Sequence, residues 1–261
     1  MQPVDNNIAV IILAAGMGKR MKSDKAKVLH EVLGKPMIMY VLETAINAAG
    51  KNVIVVIGNQ AEKVQHIVTE NCREQFETVP FFALQEEQLG TGHAVMCALP
   101  HIPPHTENVI VLCGDVPLIT YETVRQFAES HIKEKRDISV IAVEPDDPKG
   151  YGRVLFDENM HVTGIVEEAD ATGEQRKINT VNTGIYCINK EILPDMLQKV
   201  KSDNAQGEVY LTDIIKIGNN EGKKMGVLVA ENHDEFIGVN TAQDLIKTEN
   251  IMYNKRTAKI S

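Results

Sequence analysis

The sequence predicts an α/β fold in which a mostly parallel, mixed sheet is flanked by helices and carries a smaller antiparallel portion. Strand and helix patterns alternate through the first half of the 261 residues. Such alternation is typical of parallel strands joined by helical crossovers. Short strand patterns separated by turn signals dominate the second half, which indicates antiparallel pairing. No Pro- or Ser-rich linker separates the halves, so we expect one sheet to extend through both.

The first half begins with a buried strand, because Ile8–Ile12 is a short uninterrupted apolar run. Apolar residues at helical spacing predict the helices, and Gly50 suits the C-terminal end of the first one. β-branched and apolar runs predict the strands. In chain order, the predicted elements are a helix at Pro36–Ala49, a strand at Val53–Ile57, a helix at Ala61–Thr69, a strand at Phe81–Leu84, a helix at Thr91–Leu99, a strand at Val109–Leu112 and a helix at Tyr121–Lys133.

The second half is predicted to hold four strands before it returns to helices. The turn signal Asp157-Glu158-Asn159 is consistent with a hairpin. We assign residues 1–241 to one domain and residues 242–261 to a C-terminal helix and tail. The predicted elements are strands at Ile138–Val143, Arg153–Phe156, Val162–Glu167 and Thr180–Ile188, helices at Lys190–Val200, Tyr210–Ile217 and Ala242–Met252, and a loose basic tail at Tyr253–Ser261.

Composition and charge exclude several classes of protein. An apolar content of 43% and a charged content of 24% are ordinary for a soluble globular protein. The net charge of −9 argues against a nucleic-acid partner, although local cations can still bind a nucleotide. Ile8–Met17 is too short an apolar stretch to span a membrane, and Met1–Asn7 lacks the features of a signal peptide. The four cysteines have no metal-type spacing, which favours reduced thiols in a cytoplasmic protein.

A glycine-rich, cationic segment follows the first predicted strand, and Lys27 comes shortly after it. Ligands of open α/β sheets bind at the carboxyl ends of strands, where small residues let backbone N–H groups approach phosphate oxygens. The segment is not a Walker A loop, because Arg20 follows Gly18-Lys19, and it is not a dinucleotide fingerprint, because Met21 replaces the third glycine. The alternative is a tight turn with solvated cations. The segment reads Leu13-Ala14-Ala15-Gly16-Met17-Gly18-Lys19-Arg20-Met21.

A second small-residue segment extends from Gln85 to Ala94 and contains Gly90-Thr91-Gly92 at a predicted helix start. A base or ribose can pack closely against such a loop, and the Gln85 amide suits a base edge. The alternative is an ordinary helix start without a ligand. The same reasoning favours a local backbone partner, rather than a ligand, for the side chain of His93.

Gly114-Asp115 follows another buried strand, and its carboxylate is expected at the same edge of the sheet as the first segment. Mg²⁺ prefers oxygen ligands and commonly takes one or two carboxylates together with substrate phosphates. Asp115 is therefore a candidate metal ligand, with a helix-capping turn as the alternative. Asn240, in Gly238-Val239-Asn240, has a helix N-cap as its ordinary structural interpretation.

In their order and spacing these segments resemble the sugar-1-phosphate nucleotidyltransferases. Within them the chain is most similar to the N-acetylglucosamine-1-phosphate uridylyltransferases, which include the N-terminal half of a bifunctional bacterial enzyme. The resemblance extends from about Ile8 to Asn240, and Asn204–Asp213 is its most subgroup-specific part. It implies a Rossmann-like nucleotide-diphospho-sugar transferase fold, with the nucleotidyltransferase domain in residues 1–241. It further implies UTP and N-acetylglucosamine 1-phosphate as substrates and Mg²⁺ as cofactor.

The resemblance also implies a set of site residues. Arg20 and Lys27 would act on the phosphates, and Asp115 and Asn240 would share the metal ion. Cys113 departs from the family, which often has Tyr before Gly-Asp, and Val209 stands where an aromatic residue is common. The implied substrate-binding residues are Leu13, Ala14, Ala15, Gly16, Gly18, Gln85, Gly90, Thr91, Gly152, Glu167, Asn182 and Asn240, of which Gly152, Glu167 and Asn182 contact the N-acetylglucosamine unit.

Two other functions remain open at this point. One is a related transferase that uses dTTP or glucose 1-phosphate, and the other is a nucleotide-sugar sensor without turnover. The sequence contains no hexapeptide repeats of the kind that form the β-helix of the bifunctional enzyme. We therefore expect neither acetyl transfer nor the trimer contacts that the β-helix provides, and the oligomeric state stays open.

Overall fold

The computed structural model describes residues 7–76 and 78–258, in which eleven strands and seven α-helices occur. The strands are β1 (Ile8–Leu13), β2 (Glu31–Val32), β3 (Lys35–Pro36), β4 (Val53–Ile57), β5 (Phe81–Leu84), β6 (Asn108–Cys113), β7 (Ile138–Val143), β8 (Arg153–Phe156), β9 (Val162–Val166), β10 (Val181–Asn189) and β11 (Met225–Ala230). The helices are α1 (Met37–Ala49), α2 (Ala61–Gln75), α3 (Thr91–Ala98), α4 (Tyr121–Lys133), α5 (Leu193–Lys199), α6 (Asp213–Asn220) and α7 (Ala242–Ala258).

Nine strands form one mixed sheet. Seven of them lie side by side in the order β11-β7-β10-β6-β1-β4-β5, and the other two, β8 and β9, form a ribbon attached to β10. Strands β6, β1, β4 and β5 run parallel to one another. Strand β10 is antiparallel to its neighbours β6, β7 and β8, and β8 is antiparallel to β9. This arrangement confirms the predicted α/β sheet with an antiparallel portion in the second half.

Helices cover both faces of the sheet, and β1 shows why its sequence is apolar throughout. Ile8, Val10 and Ile12 pack in the cluster that contains residues of α1, α2 and α4. Ala9 and Ile11 pack in the opposite cluster, with residues of α3, α5 and α6. All five side chains are fully buried. A strand covered on both faces needs a continuous apolar run, and each buried Ile or Val contributes roughly 1.5–3 kcal/mol.

Helix α2 extends six residues beyond the predicted Thr69 to Gln75, and three further features differ from the prediction. Strands β2 and β3 form a hairpin whose turn residues, Leu33 and Gly34, both have positive φ (50° and 77°). Leucine is rare in such a turn, so the usual signal was absent. Strand β11 was not predicted, although its sequence is a β-branched apolar run. Helix α7 extends six residues beyond Met252 to Ala258, and Lys255 and Arg256 in its last turn suit the negative end of the helix dipole.

Residues 259–261 of the predicted tail lie outside the described part of the chain. Among the helices of the described residues, none is long and apolar enough to cross a membrane.

Strand register brings the predicted motifs to one edge of the sheet. Leu13, the last residue of β1, pairs with Val56 of β4 and with Cys113 of β6. The segments after β1 and β6 therefore leave the sheet side by side. Ile57 of β4 pairs with Leu84 of β5, which places the segment beginning at residue 85 at the same edge. Strand β4 lies on one side of β1, and β6, which comes later in the chain, lies on the other side. The strand order therefore reverses at β1, and ligands of open α/β sheets bind at such a topological switch point.

Candidate active site

The loop after β1 is shaped to admit Lys27. Gly18 has φ +61°, and a Cβ atom built on it would lie 2.8 Å from the Cβ atom of Lys27. Only glycine meets both conditions without strain. Lys27 begins a short 3₁₀ helix whose next residues, Val28 and Leu29, are buried in the core. The backbone of the loop and the base of the Lys27 side chain are thus held against each other. The side chain of Lys19 lies outside the described part of the chain.

Four residues from distant segments meet beside this loop. The Lys27 ammonium donates to the Asp115 carboxylate and, over 3.2 Å, to Asn240 Oδ1. Arg20 Nη2 donates to the same Asn240 oxygen over 2.9 Å. The side chains of Lys27 and Asp115 are each 16% exposed. Two cations, one carboxylate and one carboxamide therefore form a half-buried charged cluster at the β1–β6 edge.

The orientation of Asn240 follows from its neighbours. Val239 N donates to the Asp115 carbonyl over 2.9 Å, so this segment lies beside the end of β6. Thr241 Oγ1 accepts from Asp244 N (3.2 Å), while Asp244 Oδ2 accepts from Thr241 N (2.8 Å). This reciprocal pair is a capping box for α7. Thr241 therefore takes the capping role considered for Asn240, whose side-chain oxygen accepts from Arg20 and Lys27 instead.

The charged cluster borders a cavity of about 300 Å³ between the loop after β1 and the start of α3. Arg20 and Gly18 do not line this cavity, because Gly18 packs on Lys27 and Arg20 reaches the cluster through Asn240. The predicted residues that line it are Leu13, Ala14, Ala15, Gly16, Lys27, Gln85, Gly90, Thr91 and Asp115, and the lining residues that were not predicted are Met17, Val28, Gln88, Ala94, Cys113 and Glu208.

Gln85 has a structural role in the cavity wall. Its side chain is almost fully buried, and Nε2 donates to the Gly90 carbonyl over 3.0 Å. The same nitrogen lies 3.1 Å from His93 Nδ1. These contacts fix the loop between β5 and α3. His93 thus has a local partner rather than a free edge, but that partner is the Gln85 side chain and not the backbone group that the sequence favoured.

The loop before α3 docks on the backbone of Val209. Gly90 has φ +111°, and a Cβ atom there would lie 2.6 Å from the Val209 carbonyl oxygen. Gly92 N donates to that carbonyl (2.8 Å), and Val209 N donates to the Leu89 carbonyl (2.7 Å). Thr91 Oγ1 accepts from Leu211 N over 3.0 Å. The loop before α3 therefore binds main-chain atoms of Val209 and Leu211, and the side chain at position 209 is not needed for these bonds.

The three residues predicted to contact a sugar also come together. Asn182 N donates to the Gly152 carbonyl over 2.8 Å. A Cβ atom on Gly152 would lie 3.3 Å from Glu167 Oε2, and Glu167 Oε1 accepts from the Thr212 hydroxyl over 3.1 Å. Burial raises the pKa of the Glu167 carboxyl, and the nearby carboxylate of Asp213 adds to this effect.

None of these three residues lines the first cavity; Glu167 lines a second, more polar cavity of about 860 Å³. The segment Glu208–Asp213 connects the two, since Glu208 lines the first cavity and Tyr210, Thr212 and Asp213 line the second. The three sugar residues are therefore adjacent to one another, and Glu167, which alone among them lines either cavity, faces a different cavity from the charged cluster.

Cys113 ends β6 beside the charged cluster. Burial raises the pKa of its thiol to about 12, and the neighbouring Asp115 carboxylate acts in the same direction. Its Sγ atom lies 3.5 Å from the Gly184 carbonyl oxygen, which it contacts as a weak donor. The group is therefore a protonated, unreactive thiol at neutral pH.

The donor set around Lys27 fits a divalent cation. The Asp115 carboxylate and Asn240 Oδ1 both contact one ammonium group, so these oxygens already converge on a single positive charge. Oxygen ligands of this kind suit Mg²⁺ when substrate phosphates and water complete its shell. Among the described residues, no group of three or more His, Cys, Asp or Glu side chains could hold a metal ion.

The fold and these motifs have clear relatives. The family described as Nucleotidyl transferase matches residues 9–249. The chain belongs to the nucleotidyl transferase family. Two similar proteins are each named Bifunctional protein GlmU. The one from Caldanaerobacter subterraneus subsp. tengcongensis is 43% identical over 249 residues, which cover 95% of this chain and 52% of that protein. The one from Geotalea daltonii is 44% identical over 245 residues, covering 94% and 52%.

The chain spans about half the length of the curated relatives it matches. A Bacillus anthracis structure assigned as a glucose-1-phosphate thymidylyltransferase, in complex with a sucrose, superposes with a TM-score of 0.75. It covers 94% of both chains at 18% identity, which confirms the fold. The family membership inferred from the motifs is confirmed as well.

Proposed function

We propose that this nucleotidyltransferase transfers a uridylyl group from UTP to N-acetylglucosamine 1-phosphate and releases pyrophosphate, with Mg²⁺ as cofactor. The convergence of Arg20, Lys27, Asp115 and Asn240 at the border of a cavity of about 300 Å³ carries this proposal. The choice of substrates is supported by the similarity to proteins named GlmU and by the Asn204–Asp213 segment. All residues proposed to act lie within 1–241, which we assign as the nucleotidyltransferase domain.

The chemistry needs little from side-chain acids and bases. A sugar phosphate is already an anionic nucleophile, so its oxygen attacks the α-phosphorus of UTP without a general base. Positioning and charge neutralisation then supply most of the rate. Arg20 and Lys27 neutralise the α-phosphate and the departing pyrophosphate. Backbone N–H groups of residues 16–19 bind phosphate oxygens, because the glycines there keep the main chain accessible.

Asp115 and Asn240 are the residues that would hold Mg²⁺, which when bound neutralises phosphate charge on both reactants. The Lys27 ammonium now contacts these same two oxygens. A metal ion held by these oxygens would compete with the Lys27 ammonium, because both are cations. The displaced ammonium would then be free to neutralise phosphate oxygens.

The cavity beside the cluster would take the base and ribose, with Gln85, Gly90 and Thr91 in its wall. Gly152, Glu167 and Asn182 would bind the sugar hydroxyl and acetamido groups. The sugar phosphate must then bridge from these residues to the charged cluster, past the Glu208–Asp213 segment that lines both cavities.

A substrate grid tests this function. UTP and dTTP are each combined with N-acetylglucosamine 1-phosphate and glucose 1-phosphate, and pyrophosphate release is measured with Mg²⁺ and with a chelator. We expect the highest kcat/KM for UTP with N-acetylglucosamine 1-phosphate, and no turnover without the metal. Preference for another pair would assign the related transferase. Calorimetric binding of UDP-N-acetylglucosamine without any turnover would make the chain a sensor.

A further inference from the structure

The carboxamide of Asn182 is held by two neighbours on its own strand. The pairing of β10 with β7 is interrupted between Asn182 and Tyr186, where Gly184 has φ +78°. Within this irregular turn of the strand, Asn182 Oδ1 accepts from Gly184 N over 3.0 Å. Asn182 Nδ2 donates to the Tyr186 hydroxyl over 2.9 Å. The side chain of Asn182 therefore bridges across the interruption.

The hydrogen-bonding capacity of these groups allows only one arrangement. The Gly184 N–H is a donor, so the oxygen of the Asn182 amide must face it. The NH₂ group then faces Tyr186, whose hydroxyl accepts one of its two hydrogens. The second N–H and one lone pair of Oδ1 remain available, because an amide offers two donors and two acceptor sites. The Asn182 side chain is half-buried, so these remaining groups can meet a ligand.

Tyr186 itself is buried in the protein. Only 1% of the residue is exposed, and its ring packs in the apolar cluster of the sheet. Burial raises the pKa of its hydroxyl well above the ordinary value, and the Glu167 carboxylate nearby adds to the shift. The hydroxyl is therefore neutral at every working pH. Tyr186 touches one of the three proposed sugar-binding residues and lies near a second, without facing a ligand itself.

We propose that Tyr186 is a positioning residue for the sugar phosphate, and that its hydroxyl fixes the Asn182 carboxamide in the orientation that binds the sugar. This inference rests on the proposed function. Rotation of an asparagine amide about its terminal bond is soft. The Gly184 N–H selects which side of the amide carries the oxygen, and the Tyr186 hydroxyl holds the nitrogen side in place. A hydroxyl that holds the amide in one orientation before the sugar binds reduces the conformational entropy that is lost on binding.

Tyr186→Phe tests the assignment because it removes only the hydroxyl and keeps the ring. We expect KM for the sugar phosphate to rise about five- to tenfold, the range of one lost hydrogen bond. The values of kcat and of KM for the nucleotide should stay within about twofold of the wild type, since the Tyr186 hydroxyl contacts Asn182 and forms no hydrogen bond with the charged cluster. Tyr40→Phe is the matched control, because its hydroxyl donates to the Val32 carbonyl (2.7 Å) outside the sugar residues.

A double-mutant cycle separates positioning from general destabilisation. In an Asn182→Ala background, Tyr186→Phe should have no further effect on KM for the sugar phosphate. An equal rise in KM in both backgrounds would overturn the proposal. So would an unchanged KM in the single variant, or a fall in kcat and in both substrates' affinities that matches the Tyr40→Phe control.

A measurement without substrate completes the test. Hydrogen exchange of the Asn182 side-chain amide, followed by ¹⁵N NMR, should be faster in Tyr186→Phe than in the wild type. Unchanged exchange would refute the contact. If the wild type turns over no sugar phosphate at all, the proposed function fails, whereas the exchange rates still decide whether Tyr186 holds Asn182.

Discussion

Replacing Lys27 with methionine should separate the two roles assigned to its ammonium group. Methionine has a similar length but no charge, so it removes the contacts to the Asp115 carboxylate and to Asn240 Oδ1. Turnover should fall, because a cation that neutralises the phosphates in the transition state is lost. Metal binding to the free enzyme should become tighter, because the competitor for the same two oxygens is gone.

The structure sets the size of both effects. One preorganised donor to a transition-state charge is worth about 3–4 kcal/mol, so kcat should fall about 10²–10³-fold. Opposite charges about 4 Å apart attract by about 4 kcal/mol at an effective dielectric constant of about 20. Lys27 and Asp115 are each 16% exposed. Desolvation and residual solvent reduce the net free energy of the Lys27–Asp115 attraction to about 1.5 kcal/mol. Removing this competing interaction should therefore raise metal affinity about tenfold.

Pyrophosphate release gives kcat, and titration with Mn²⁺, detected as free ion by electron paramagnetic resonance, gives the affinity. Asp115→Asn is the matched variant, because it removes a metal ligand rather than the competitor and should weaken Mn²⁺ binding. Near-normal turnover of Lys27→Met, or weaker Mn²⁺ binding in it, would refute the reasoning.

Three further predictions concern other parts of the chain. Arg20→Ala should lower kcat about 10²–10³-fold while the melting temperature is unchanged, since the exposed guanidinium contacts Asn240 and the core is untouched; steady-state kinetics that match the wild type would contradict its role. Gly90→Ala should lower stability by about 1–3 kcal/mol and raise KM for UTP, because φ is +111° and the new Cβ would lie 2.6 Å from a carbonyl oxygen. Gly173→Ala, which meets nothing within 4 Å, should be neutral in the same thermal and kinetic assays. His131 is buried, and burial lowers its pKa to about 4. The unfolded chain therefore takes up a proton first as pH falls below about 6.5, and stability should drop by about 2 kcal/mol between pH 7 and 5. Urea unfolding should show a flatter pH dependence in His131→Gln but not in His161→Gln, whose side chain is 74% exposed.

The central strands and their ends could be predicted because a strand that is buried on both faces must be apolar along its whole length. Strand β1 and the parallel β6 appear as apolar runs, and polar residues directly after them must meet at one edge. That reasoning correctly brought Asp115 next to the loop after β1. Arg20 and Asn240 also meet, although 220 residues separate them in the sequence. Motif spacing and the family resemblance suggested this contact, but it depends on how the whole chain between them folds.

Other contacts left no readable sequence signal. Asn240 and Thr241 are both good helix caps, and only the bond between Thr241 and Asp244 shows which of them caps α7. The loop before α3 docks on main-chain atoms of Val209, so the side chain at that position says nothing about the contact. The Asn182–Tyr186 bridge arises from an irregularity in β10. Such features depend on register and backbone conformation, which a single sequence specifies only through the whole fold.

A crystal structure with Mn²⁺ and UDP-N-acetylglucosamine tests the account most directly, because anomalous scattering locates the metal without ambiguity. We predict one Mn²⁺ ion bound by the Asp115 carboxylate, Asn240 Oδ1 and the diphosphate, with the Lys27 ammonium moved from those oxygens onto phosphate. Bound nucleotide sugar with the metal held by other residues, or with Lys27 still paired to Asp115, would contradict it.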